Sequence, residues 1–252
     1  QAQIASGICT PFDVPSSDAI ISPLGVVIKK SCVARGLELT GMFIKDQATL
    51  DAVNTILLRL GVPLIKVRPI NDVPASGVNA TLVTPPFSNS GVQDAIAPIS
   101  PNCYIGKVDV TRFFYQFPLA EFARWLFWFQ FELLFCRMNR VIFGAGPVPY
   151  FINTYGAEVR RWILHAKVPV AHFCDDYFSK GKDRKEIEAR LRIISAFFLL
   201  IGFLMAEHKQ EIGQRLVYLG VLFDSVKMVM SFEPITAASF LSELQTALAR
   251  IR

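Results

Sequence analysis

Short apolar runs alternate with amphipathic stretches from residue 104 onward, and this pattern predicts most of the regular structure in the chain. Apolar runs bounded by polar positions predict strands, and apolar residues spaced three and four apart predict helices. The predicted strands are 104–109, 125–131, 134–141, 168–174, 177–178, 216–223 and 227–232. The predicted helices are a short turn at 113–120 and longer segments at 147–165, 183–201 and 236–252.

The central elements follow the order strand, helix, two strands, helix, strand, which is the split β-α-β pattern of ferredoxin-like folds. This topology places the end of strand 104–109 beside the turn between strands 168–174 and 177–178. Residues 1 to about 100 are less regular. They predict strands at 25–30 and 63–68 and a helix at 47–60 with Asp46 as its N-cap. The whole pattern favours an α+β fold.

Composition narrows the class of protein. The chain has 252 residues, of which 52% are hydrophobic, so it is not typical of disordered proteins. No uninterrupted apolar run reaches the roughly 20 residues that span a bilayer, so no membrane segment is predicted. The five cysteines lack metal-ligand spacing, which predicts a reducing, intracellular compartment without distinguishing nucleus, cytoplasm or organelle. The net charge of +5 permits nucleic-acid binding without requiring it.

Three acids stand at the ends of apolar runs and define the candidate site. Asp175 and Asp176 occupy the turn of an apolar hairpin, and Asp109 ends the strand that the topology places beside it. Carboxylates at the tips of buried strands cost free energy unless a cation neutralises them, and hard divalent ions prefer oxygen ligands. The arrangement favours phosphoryl or nucleotidyl transfer, although adjacent acids taken alone also fit a solvated hairpin tip.

Six segments resemble, in the same order, the motifs of a known enzyme family. They are 66–72 with Lys66 and Arg68, 109–118 with Asp109 and Phe114, 143–150 with Phe143 and Gly144, 173–176 with Asp175 and Asp176, 202–209 ending at Lys209, and 218–224 with Leu219 and Gly220. Together they resemble the fingers and palm of reverse transcriptases, in particular those of the DIRS-type tyrosine-recombinase retrotransposons.

The resemblance implies a right-hand polymerase fold with fingers and palm, in which the palm is a split β-α-β unit with an antiparallel sheet and helices on one face. It divides the chain into a fingers-like region at 1–103 with an insertion at about 31–65, a palm at 104–232, and the start of a thumb or a terminal helix at 233–252. It implies RNA-directed DNA polymerase activity on an RNA template, a DNA primer and deoxynucleoside triphosphates.

The resemblance also assigns roles to individual residues. It implies that Asp109 and Asp175 hold two Mg²⁺ ions, with Mn²⁺ as the alternative, and that Asp176 is a third acid of the metal site that shapes the field or the primer end. The remaining implied roles are triphosphate contacts at Lys66 and Arg68, a pyrophosphate contact at Lys209, a sugar gate at Phe114, a clamp at Phe143 and Gly144, and a primer grip at Leu219 and Gly220. Lys66 and Lys209 also fit exposed surface charges.

A second interpretation belongs to a different class of protein. The family usually has an acid where this chain has Arg112 and a small residue where it has Phe113, whose ring would crowd the triphosphate. The chain would then be a domesticated, catalytically inactive domain that serves as a structural or RNA-binding subunit of a larger ribonucleoprotein assembly. In that case, replacing Asp175 and Asp176 by Asn would leave the biological role intact.

Overall fold

The structure, a computed structural model, describes residues 2–28, 39–42, 47–62, 64–65, 67–97, 99–232, 237 and 240–241. The described strands are β1 (Cys9–Phe12), β2 (Ile21–Ser22), β3 (Leu24–Ile28), β4 (Val67–Asn71), β5 (Tyr104–Asp109), β6 (Trp128–Phe131), β7 (Leu134–Met138), β8 (Val170–Phe173), β9 (Asp176–Gly181), β10 (Glu211–Gly213), β11 (Arg215–Tyr218), β12 (Val221–Asp224) and β13 (Val229–Phe232). The described α-helices are α1 (Ala2–Ala5), α2 (Gln47–Arg59), α3 (Val78–Thr81), α4 (Val92–Ile96), α5 (Phe113–Gln116), α6 (Val148–His165) and α7 (Arg184–Leu200).

Four antiparallel strands in the order β10, β5, β9, β8 form the central sheet. The chain passes through β5, α6, β8, β9, α7 and β10, which is the predicted split β-α-β topology. The predicted α+β fold with an antiparallel sheet is therefore confirmed. The predicted order took the run 216–223 as the last strand of this sheet, which is wrong. The last strand is β10, and the run 216–223 lies in another sheet.

The predicted strand 216–223 is in fact two strands joined by a tight turn. β11 and β12 pair antiparallel around Leu219 and Gly220, whose φ angles are 51° and 76°. Two consecutive left-handed residues match the twist of a two-residue hairpin. β13 completes a separate three-stranded sheet. The apolar run conceals the turn because both strands contribute large side chains, Tyr218 and Phe223, to the same core.

The two long helices, α6 and α7, pack on one face of the central sheet. Their apolar side chains meet sheet residues such as Val108 and Tyr177 in one buried cluster. α7 approaches β5 so closely that a Cβ atom on Gly106 would lie 2.8 Å from Leu191 Cδ1. The three-stranded sheet and α4 form a second cluster with Phe178 of β9, on the other face. Burial from both sides fixes the strand ends that carry the acids.

Two further sheets, one of four strands and one of two, are formed by the residues before β5 and by the β6–β7 hairpin. β1, β7, β6 and β2 form a mixed sheet, and β3 pairs with β4. The predicted strand 63–68 begins later, at β4, because Ile65 packs in the cluster of α2 and its N–H donates to Asn54 Oδ1 at 2.8 Å. The predicted strand 125–131 begins at Trp128, since Glu121–Leu126 form a 3₁₀-helix.

Some predicted features lie outside the described residues. They are Lys66, the helix cap Asp46, positions 29–30 of the predicted strand 25–30, and the predicted terminal helix 236–252 apart from residues 237, 240 and 241. Within the described part of the chain, no helix has the length and apolar character needed to cross a membrane. The division into a fingers-like region, a palm and a thumb stays a prediction.

Candidate active site

β5 and the β8–β9 hairpin bring three acids to one end of the central sheet. Asp109 at the end of β5 lies opposite Asp176 at the start of β9. The backbone N–H of Val110 donates to the carbonyl of Asp175 at 3.0 Å, which ties the chain leaving β5 to the hairpin turn. Strand register and this hydrogen bond together place the three acids at the same edge.

The turn that carries Asp175 is tight and strained. Phe173 and Asp176 pair across the hairpin, which leaves Cys174 and Asp175 as the two turn residues. Cys174 has a φ of 52°, in the left-handed region that residues other than glycine rarely occupy. Burial, followed by the charges of Asp175 and Asp176, raises the pKa of the Cys174 thiol to about 11. The turn therefore presents carboxylates, and its thiol stays protonated at neutral pH.

The carboxylates lie close enough to change each other's ionisation. Burial, then the charge of Asp175, then that of Asp109 raise the pKa of Asp176 to about 6, while Lys107 and Lys209 lower it in part. Burial is the largest cause of the rise, and the neighbouring carboxylates add to it because like charges that share a site disfavour the ionised form. A bound cation would offset the contribution of the neighbouring charges.

Lys209 supplies one cation to the cluster. Its Nζ lies 2.7 Å from Asp109 Oδ1, and its side chain is 47% exposed, whereas that of Asp109 is 14% exposed. Lys209 ends the short 3₁₀-helix Glu207–Lys209, which is anchored because the Ala206 N–H donates to the Asp109 carbonyl at 2.8 Å. Lys209 is therefore part of the acidic site rather than a separate surface charge.

Replacing Asp176 by Asn is expected to stabilise the protein at pH 7.5 in EDTA. The native pKa of about 6 exceeds the ordinary value of 3.8. The native state therefore binds more protons between these values, and its stability falls as the pH rises through them. Above pH 6 the cost of ionisation, about 3 kcal/mol, is present in the wild type and absent in the variant. Urea denaturation at pH 7.5 and pH 3.5 measures the gain, and an equal gain at both values would contradict this account.

Phe114 on α5 and Phe143 form a ring pair. Their centroids lie 3.9 Å apart, Phe114 is half-buried, and Phe143 is 44% exposed. Gly144 follows with a φ of 94°, and a Cβ atom there would lie 3.2 Å from the Asn71 carbonyl oxygen. Both the backbone angle and the available space therefore require glycine. The predicted gate and the predicted clamp are parts of one unit.

The turn at Leu219 and Gly220 is connected to the acids through β11. The Tyr218 hydroxyl donates to the Asp176 carbonyl at 3.4 Å, and Lys107 Nζ donates to the carbonyl preceding Tyr218 at 3.0 Å. The role of Tyr218 could not be predicted from the sequence, because its local pattern is that of any core aromatic residue. This side chain links the predicted primer grip to the carboxylate turn.

The predicted triphosphate contacts are described only in part. Arg68 lies in β4 opposite Val27, so its backbone belongs to the two-stranded sheet. The orientation of its side chain and the whole of Lys66 lie outside the described parts of the molecule. Their roles stay predictions.

Phe113 lies in the core and not in a nucleotide cleft. It is 1% exposed, and the centroids of Phe117, Phe198 and Phe203 lie 5.2, 6.5 and 5.7 Å from its own. The expectation that Phe113 crowds the triphosphate, on which the inactive-domain interpretation partly rests, is therefore wrong. Helix α5 directs this ring inward, while its neighbours Phe114 and Tyr115 contact Phe143, with ring centroids 3.9 and 6.3 Å away.

The acids fit a divalent ion that brings further ligands with it. Among the described residues, no group of three or more His, Cys, Asp or Glu side chains is arranged to hold a metal ion unaided. Mg²⁺ is usually bound through one or two carboxylates together with substrate phosphates and water. The hard oxygen donors of Asp109 and Asp175, with the Asp176 carboxylate close enough for its pKa to respond to both of their charges, suit such an ion. Metal binding itself stays a prediction.

Comparison with solved structures identifies the fold. A foamy viral protease-reverse transcriptase in complex with double-stranded DNA aligns with a TM-score of 0.61 and 16% identity, over 82% of this chain and 48% of that chain. Crystalline prototype foamy virus protease-reverse transcriptase aligns with a TM-score of 0.59 and 17% identity, over 92% of this chain and 25% of that chain. This chain has a reverse-transcriptase-like fold.

The same reverse-transcriptase-like fold is found in a foamy viral protease-reverse transcriptase bound to an RNA/DNA hybrid, with a TM-score of 0.60, 17% identity, and coverage of 82% of this chain and 31% of that chain. The chain thus spans between a quarter and a half of the length of these neighbours. No protein-family model matches the sequence, and no curated protein matches it. The narrower resemblance to DIRS-type retrotransposons stays a prediction.

Proposed function

We propose that this chain is the polymerase core of a reverse transcriptase, which extends a DNA primer along an RNA template with deoxynucleoside triphosphates. The observation that carries the proposal is the meeting of Asp109 with the Asp175–Asp176 turn at the end of β5 in a reverse-transcriptase-like fold. Acids in this position would hold the divalent ions that stabilise the negative charge developing on phosphate oxygens during nucleotidyl transfer.

The side chains of the acidic site would have different roles. Asp109 and Asp175 would hold divalent ions, which supply Lewis-acid stabilisation of the attacking and leaving oxygens when bound. Asp176 would be the third acid of the metal site, and its ionisation is opposed first by burial and then by the charges of Asp175 and Asp109. Lys209 neutralises Asp109 through a 2.7 Å ion pair and has an exposed side chain that could turn toward a leaving pyrophosphate.

Nucleotide selection would depend on Phe114. A ring beside the sugar excludes a 2′-hydroxyl by steric overlap and so favours deoxynucleotides. The half-buried position of Phe114 and its contact with the tilted ring of Phe143 support this role, because a gate must be held in place. The Phe114–Phe143 pair would therefore make this chain select deoxynucleotides over ribonucleotides, as a DNA polymerase does.

Nucleic acid is the proposed macromolecular partner. Two of the solved neighbours are complexes with double-stranded DNA or an RNA/DNA hybrid, and this chain carries a net charge of +5. Positive charge promotes binding to phosphate backbones and makes it sensitive to salt. We expect affinity for an RNA/DNA primer–template to fall as the salt concentration rises.

A primer-extension assay tests the proposed function. The chain is incubated with a labelled DNA primer annealed to RNA, all four deoxynucleotides and either Mg²⁺ or Mn²⁺, with EDTA as the control. Template-directed extension that EDTA abolishes is the expected result. A folded chain that binds the duplex but adds no nucleotide with either ion would refute the proposal.

A further inference from the structure

The side chain of Asn79 joins helix α3 to residues 143–146, here named the gate loop. Its Nδ2 donates to the Gly144 carbonyl at 2.8 Å, and its Oδ1 accepts from the Gly146 N–H at 2.8 Å. One amide side chain thus satisfies two backbone groups of a short loop that is distant in sequence. An amide side chain carries its donor and its acceptor on separate atoms, and both contacts use them.

Packing and a left-handed backbone angle restrict the gate loop in addition to the Asn79 hydrogen bonds. Gly144 has its φ of 94°, Ala145 is 2% exposed, and a Cβ atom on Gly146 would lie 2.7 Å from Thr84 Oγ1. Asn79 lies on the same side of Gly146 as Thr84, since that Cβ atom would also lie 3.6 Å from Asn79 Oδ1. Loss of the two hydrogen bonds would leave the Gly144 carbonyl and the Gly146 N–H without these partners and would loosen the gate loop.

The gate loop begins at Phe143, whose ring contacts Phe114. Because Phe143 is 44% exposed, its own burial does not fix its position. The backbone of the gate loop and the ring of Tyr115, whose centroid lies 6.3 Å away, hold Phe143 in place, and the ring contact at 3.9 Å then limits the movement of Phe114. The described contacts run in sequence from Asn79 to the gate loop, to Phe143 and to Phe114.

We propose that Asn79 is a positioning residue for the sugar gate: it holds the gate loop so that Phe143 braces Phe114 against the ribose. The inference rests on the proposed function and adds a residue that acts through others. A loosened gate would admit a 2′-hydroxyl more readily while leaving the acids in place. Discrimination against ribonucleotides would therefore fall further than the rate of deoxynucleotide addition.

The test compares Asn79→Ala with Asn153→Ala. Asn153 Nδ2 also donates to a distant backbone carbonyl, that of Ser88, at 2.8 Å, but this contact lies outside the gate loop. Single-nucleotide addition gives kcat/KM for a deoxynucleotide and for its ribonucleotide. The ratio of the two is expected to fall about tenfold in Asn79→Ala, which corresponds to the loss of one or two hydrogen bonds, and to stay at the wild-type value in Asn153→Ala.

Asn79→Asp provides a second variant, which keeps the acceptor for the Gly146 N–H and loses the donor to Gly144. It is expected to give an intermediate ratio. Hydrogen exchange provides a readout that does not depend on activity: the Gly146 amide should exchange faster in Asn79→Ala and not in Asn153→Ala. An active wild type whose nucleotide ratio is unchanged by Asn79→Ala overturns this inference alone. An inactive wild type overturns the proposed function and the inference with it.

Discussion

Replacing Asp109 by Asn is expected to lower the rate of primer extension by at least about 1,000-fold, since a metal-binding carboxylate contributes roughly 4 kcal/mol or more to transition-state stabilisation. The amide keeps the size of the side chain but loses the negative charge that would hold the ion. It also removes the charged partner of Lys209, whose Nζ now lies 2.7 Å from Asp109 Oδ1. Single-turnover extension on an RNA template measures the loss.

Asp183→Asn is the matched control for this experiment. Asp183 caps α7, where its Oδ1 accepts from the Glu186 N–H at 2.8 Å. Asn is an equally good N-cap, so this variant removes one negative charge while preserving the fold. It lies beyond the other end of β9, away from the carboxylate turn. Equal activity in Asp109→Asn and Asp183→Asn would show that the acidic cluster does not perform the chemistry.

The elements around the acids were predictable because their signals are local. Pro147 and Asp183 mark the starts of α6 and α7, and each helix carries an apolar stripe long enough to identify it. Only half of a capping box forms at Asp183: Asp183 caps the helix, but Glu186 Oε2 accepts from the Lys182 N–H at 2.6 Å, one residue before the N-cap. Strand β5 matches its prediction because an apolar run ends cleanly in an acid.

Features that depend on distant contacts were not predictable from local patterns. Asn79 hydrogen-bonds to Gly144 and Gly146, and nothing in the sequence around Asn79 distinguishes it from a surface residue. The hairpin at Leu219 escaped prediction because buried side chains continue on both sides of the turn. Ile65 leaves the predicted strand because α2 offers it a buried position. In each case tertiary packing decided between local structures of similar propensity.

Phe113 shows the same limit in the candidate site, and it leads to the largest expected effect on stability. Comparison with a family pattern places a small residue at this position, which suggests a cleft. The structure instead surrounds the ring with Phe117, Tyr155, Phe198 and Phe203. Since these side chains come from the residue after α5, from α6, from α7 and from the segment after α7, the ring joins the helical layer to the start of the candidate site.

Replacing Phe113 by Ala is therefore expected to lower the free energy of unfolding by about 3–5 kcal/mol, because the buried ring is lost and its rigid aromatic neighbours cannot close the cavity. Urea denaturation measures the change. Phe122→Ala is the matched control: Phe122 is 83% exposed, and its removal should change stability by less than about 0.5 kcal/mol. If Phe113 instead faced a nucleotide cleft, Phe113→Ala would leave stability close to that of the wild type and tighten the binding of deoxynucleotides. That result would reverse the assignment of this ring to the core and restore the basis of the inactive-domain interpretation.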